Sequence, residues 1–102
     1  MLVVALVAIS FWAFDTVRMN RRSERYRSYA AYNDEMVRRC RDIVAMDPIE
    51  RARKSVEAYD DPYLFNPAWT KEMISYHSRV RDIFAHAAEH PREPLPPHPQ
   101  NP

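Results

Sequence analysis

The stretch MLVVALVAISFWAFDTV, residues 1–17, constrains the chain most, because from Met1 to Phe14 its only polar side chain is Ser10. As a helix such a segment is about 25 Å long, slightly short of the roughly 30 Å hydrocarbon core of a bilayer. Local thinning, or snorkelling of Arg18 and Arg21 to the headgroups, closes the gap. Trp12 and Phe14 suit an interfacial aromatic belt at the arginine-rich end. The segment therefore reads as a membrane anchor, with Leu2, Val3, Val4, Leu6, Val7, Ile9, Phe11, Trp12 and Phe14 meeting lipid. A cleaved signal peptide is the main competing reading. Against it, nothing basic precedes Leu2 and the exit Phe14-Asp15-Thr16-Val17-Arg18 lacks a small-residue cleavage pattern. A buried helix of a soluble protein is the third.

Residues 18–102 leave room for one small region, of a size that rarely carries a large core unaided. The chain has no glycine and a single cysteine, Cys40. The first fact removes glycine-rich phosphate loops and tight positive-φ turns, and the second excludes an internal disulfide. Charge is uneven: residues 1–45 hold eight arginines against five acids, and residues 46–102 seven basic against nine acidic side chains. The basic excess sits beside the anchor, where each arginine near an anionic leaflet contributes about 1 kcal/mol. Arg18, Arg21, Arg22 and Arg25 are accordingly assigned to lipid headgroups or to partner chains. Nucleic acid is not an expected partner, since the rest of the chain is not basic.

Within 18–46, a juxtamembrane segment, Tyr26, Tyr29, Asn33, Met36, Cys40 and Ile43 recur at helical spacing, widened by Ala30, Val37 and Val44. The stripe, with Tyr32 beside it, suits a partner helix or another part of this chain, and Asn33 is the kind of polar residue that fixes register. Two further amphipathic helices are expected in 47–90. Asp47-Pro48-Ile49-Glu50 reads as N-cap, proline at the first helical position and an acidic capping box. That helix carries Ile49, Ala52, Val56 and Tyr59 on one face and stops at Asp60-Asp61-Pro62. The apolar connector Tyr63 to Asn66 leads to a second cap, Asn66-Pro67. The last helix, to about His90, places Trp69, Met73, Tyr76, Val80, Ile83, Phe84 and Ala87 on its apolar side. Residues 91–102, PREPLPPHPQNP, contain six prolines and predict an extended tail lying along neighbouring chains.

Chemistry is sparse. His86 to His90 spell H-x-x-E-H, the zinc motif of inverted metalloproteases. Catalysis needs a third ligand and an open coordination position, and a helix C-terminus favourable to two histidines is the simpler reading. Cys40, between Arg39 and Arg41, is expected to be buried and inert because it lies on the apolar stripe. No catalytic constellation, cofactor fingerprint or small-molecule site follows from the spacing. The six tyrosines and two tryptophans read as contact area for proteins.

The anchor followed by VRMNRRSERYRSYAAYND resembles cytochrome c oxidase subunit VIc over roughly residues 1–40. Arg21 and Arg22 fall on that family's basic pair, and Tyr29, Tyr32 and Asn33 on its aromatic, tyrosine and aspartate positions, with Asp34 one residue late. Beyond Asp42 the chain departs from the family, and it lacks the basic residues ahead of the membrane helix. DPIERARKSVEAYDDP, residues 47–62, is similar to the segment after the membrane helix of the SGDH accessory subunit of complex I, with one residue inserted. Both resemblances imply a non-catalytic accessory subunit in the mitochondrial inner membrane, and neither brings catalytic residues. The oxidase resemblance implies a carboxy-terminal region in the intermembrane space, whereas the arginines after the anchor argue for the opposite side. The expected architecture is all-α: one amino-terminal transmembrane helix, three amphipathic helices and an extended proline-rich tail, without a self-sufficient core.

Overall fold

The computed structural model describes residues 2–57 and 66–102. Among them are three helices and no strand: α1 (Leu2–Ala45), α2 (Pro48–Glu57) and α3 (Pro67–Glu89). The all-helical class is as expected, but the anchor and the juxtamembrane segment are one helix, where two had been expected. No proline or glycine lies between residues 2 and 45, so nothing in the backbone interrupts propagation past Asp15. At 1.5 Å per residue α1 is about 66 Å long, and it sets the 75 Å long axis of the molecule.

Both later helices start where the local chemistry places them. Asp47 Oδ1 accepts the backbone N–H of Ile49 at 2.9 Å, and Asn66 Oδ1 accepts those of Ala68 at 3.0 Å and Trp69 at 3.3 Å. Each is followed by proline at the first helical position, where the missing N–H costs nothing. Glu50 turns forward to Lys54 and Arg53, at 3.8 and 4.0 Å, forming exposed surface pairs. Tyr59, the expected break at residues 60–62 and the connector residues 63–65 lie outside the described residues.

The carboxyl end of α1 is closed by a side chain from the next helix. The Arg51 guanidinium donates to the carbonyls of Ile43 at 3.2 Å, Val44 at 2.9 Å and Met46 at 2.8 Å. Such carbonyls have no partner within the helix, and a cation beside them also meets the negative end of the helix dipole. Arg51→Ala is expected to cost about 1.5–3 kcal/mol, by the worth of hydrogen bonds to a charged donor. Thermal denaturation followed by circular dichroism measures it, and an unchanged midpoint would mean that solvent satisfies these carbonyls equally well.

α3 packs antiparallel along the carboxyl two-thirds of α1. On α1 the buried side chains are Met19, Ser23, Asn33, Val37, Cys40 and Ile43, and on α3 Thr70, His77, Val80, Ala87 and Ala88. With half-buried Tyr26 and Ala30 between them, the α1 positions from Met19 to Cys40 alternate steps of four and three, the spacing of a coiled-coil seam, and Ile43 follows at three. The two stripes thus bury each other and form a small core within the chain, so that of the two partners open to the α1 stripe it is another part of this chain that covers it. α2 contributes nothing to it: Ile49 and Val56 are 82% and 74% exposed.

A candidate membrane interface

The apolar first third of α1 has no cover. From Leu2 to Phe14 every large apolar side chain is exposed, between 57% at Leu6 and 78% at Leu2, and the helix is long and apolar enough to cross a membrane. A soluble protein buries such a surface, because each exposed Leu, Ile or Phe side chain forgoes about 1.5–3 kcal/mol. Exposure on all sides of the helix, rather than along one stripe, fits a lipid environment better than a single docking partner.

Asp15, Thr16 and the arginines form the boundary. Thr16 Oγ1 donates to the Trp12 carbonyl at 2.9 Å, satisfying its hydroxyl within the helix. Asp15 pairs with Arg18 at 3.4 Å and with Arg92, which the fold returns from far along the chain. Arg22 donates to the Pro91 carbonyl at 3.1 Å. Together the Arg92 and Arg22 contacts pin the start of the tail against α1, next to the uncovered segment. Arg21 and Arg25 have no hydrogen-bonding or ion-pair partner among the described residues and line a surface groove on α1 with Phe14, Val17 and Arg18, Arg25 also bordering the tail at Arg92 and Glu93.

Beyond this boundary the hairpin carries the residues expected to meet partner helices, and it brings several of them to one another. The Phe84 ring lies between Tyr26 and Tyr29, at centroid distances of 5.8 and 5.1 Å. Asn33 Nδ2 donates to the Tyr29 carbonyl at 2.8 Å, and its Oδ1 lies 2.7 Å from His77 Nδ1. That acceptor requires the proton on Nδ1, which leaves Nε2 as a bare lone pair, buried and without a partner among the described residues. Burial lowers the His77 pKa from the ordinary 6.5. Arg81 crosses from α3 to Asp34 at 3.2 Å and also holds Asp82 at 3.1 Å, contacts that raise its pKa further. Cys40 is 1% exposed, and burial pushes its thiol up, away from the reactive thiolate. Met36, Trp69, Met73 and Tyr76 are half-buried, while Tyr29 and Tyr32 remain 51% and 61% exposed.

The tail folds along its own chain. The His98 ring reaches Tyr76, at 5.9 Å, and Leu95 and the prolines beside it border Ile83 and Ala87 on α3. In the H-x-x-E-H segment the two imidazoles stack at 4.5 Å, and His86 Nε2 meets Glu93 at 3.0 Å. No group of three or more His, Cys, Asp or Glu among the described residues is arranged to hold a metal ion.

Of the residues that organise this surface, sequence reasoning passed over Arg92, Arg51, Asp34, Arg81 and His77. His77 alone had a usable signal, since 70, 77, 80, 84 and 87 continue a seam spacing that Tyr76 interrupts. No protein-family model matches the chain, and no curated protein or solved structure matches it significantly.

Proposed function

We propose that this protein is a single-pass, membrane-anchored structural subunit, without catalytic chemistry of its own, that supports the assembly or stability of a larger membrane complex. The observation that carries the reading is the uncovered apolar first third of α1, continuous with a hairpin whose core is small. A rigid connection of this kind transmits the position of the hairpin to the bilayer. The exposed Tyr32, Ile49 and Val56 side chains then supply contact area for neighbouring subunits.

The resemblances to cytochrome c oxidase subunit VIc and to the complex I SGDH subunit support a respiratory complex of the mitochondrial inner membrane as the host, with the hairpin in the intermembrane space. Protease treatment of intact mitoplasts should digest the hairpin; protection until the inner membrane is breached places it in the matrix. An alternative reading, a secreted or surface interaction module, requires loss of residues 1–17. That loss would remove Asp15, the partner of Arg92, and the intact mass of the mature protein decides between the two.

Native electrophoresis of mildly solubilised membranes tests the main reading. The chain is expected to co-migrate with an oxidase or complex I. Removing residues 91–102 should loosen the assembly while leaving turnover of each intact complex unchanged. Migration as a free monomer, with respiratory complexes unaltered by depletion, would defeat it.

A further inference from the structure

We propose that the arginine-lined groove on α1, immediately beyond its apolar first third, is a binding site for the phosphate of an anionic phospholipid, with Arg21 and Arg25 as the phosphate ligands. The proposal rests on the membrane-anchor reading above and adds a ligand class to it.

Arg18, Arg21 and Arg25 follow one another at three and four residues, so their guanidinium groups share one face. They line a surface groove whose membrane-side end is Phe14 and Val17, and whose far end carries the Ser28 and Tyr29 side chains. One end is thus apolar and continuous with the uncovered segment, and the other is cationic with hydroxyl groups beyond it. An amphiphile fits this order, acyl chain beside Phe14 and Val17 and phosphate among the arginines. A soluble anion would make no use of the apolar end.

The charges around the groove are divided in a way that leaves it free. Arg22 points to the hairpin side and is spent on the Pro91 carbonyl. Asp15, the carboxylate nearest the membrane, is held by Arg92 and Arg18 and so opposes an incoming phosphate less. Arg21 and Arg25 have no partner among the described residues, which leaves their planar forks available for bidentate phosphate contacts. The one acid on the groove wall is Glu24, outnumbered by the three arginines.

Native mass spectrometry of the full chain in neutral detergent micelles, titrated separately with phosphatidylglycerol, phosphatidylcholine and inorganic phosphate, tests the site. Phosphatidylglycerol should bind in preference to phosphatidylcholine. The Arg21→Gln/Arg25→Gln double variant should lose roughly 25-fold in phosphatidylglycerol affinity, about five-fold for each arginine near the surface. Arg53→Gln/Lys54→Gln on α2 should leave it unchanged. Equal binding of the two lipids, an unaltered preference in the arginine double variant, or displacement of phosphatidylglycerol by an equal concentration of inorganic phosphate would overturn the proposal. Alkaline carbonate extraction separates this from the underlying reading: a chain released by carbonate is not anchored and both fall, whereas an anchored chain without lipid preference sinks this inference alone.

Discussion

Leu6→Arg combined with Ile9→Arg is expected to move the protein from the carbonate-resistant membrane pellet to the soluble fraction. Both positions lie in the middle of the apolar first third of α1, where an arginine costs about 2.5–3.5 kcal/mol on insertion scales. The large apolar residues between Leu2 and Phe14 each return only about 0.3–0.6 kcal/mol on the same scale. Two arginines therefore outweigh the whole favourable sum and shift partitioning by about four orders of magnitude, at 1.4 kcal/mol for each factor of ten. The hairpin should survive, because its buried seam begins at Met19 and no side chain from Leu2 to Phe14 is buried in it. Far-ultraviolet circular dichroism of the released protein should retain strong helicity. A doubly substituted chain that stays in the pellet would show that residues 2–14 are not what holds it to the membrane.

Local chemistry made parts of this fold legible in advance, and pairing across the chain hid the rest. Asp47-Pro48 and Asn66-Pro67 announce helix starts because cap and proline act within a single turn, and both are observed. The register of the α1 stripe was readable only to within a residue. Asn33, Cys40 and Ile43 are buried as the periodicity implies, but Val37, which by sequence only widens the stripe, lies at the centre of the seam at 1% exposure, while Tyr29 is half out. An apolar arc wider than the contact leaves the facing helix to choose its centre, and α3 chooses Val37. The contacts of Arg92 with Asp15 and of Arg51 with the end of α1 have no sequence signature, since an arginine can reach any acceptor that the fold brings near. The tail was expected on other chains because proline excludes it from helices; the same extended backbone lets it lie along α3 of its own chain.

The second large effect is expected at the buried polar pair. Asn33→Ala should cost about 2–3 kcal/mol, because it strips the acceptor from His77 Nδ1 in a seam where Nε2 is already unpartnered, and an unsatisfied buried donor forfeits its full desolvation free energy. Asn33→Leu/His77→Leu, which removes both polar groups and fills the same seam with apolar atoms, should be near neutral or stabilising. The native pair would then serve register, fixing which turn of α3 meets which turn of α1, as a single polar seam residue does in coiled coils. It also predicts a pH dependence with a definite sign. In the unfolded chain His77 takes up its proton near the ordinary 6.5, whereas burial lowers that value in the hairpin, so below 6.5 the unfolded state binds more protons. Stability is therefore full above pH 6.5 and declines as the pH falls from there through the lowered value. Denaturant midpoints at pH 7.5 and 5.5 should show that decline in the native protein and a smaller one in the double leucine variant. Equal declines in the two would assign the effect to other groups, and a double variant destabilised as much as Asn33→Ala would show that the pair contributes net stability rather than register.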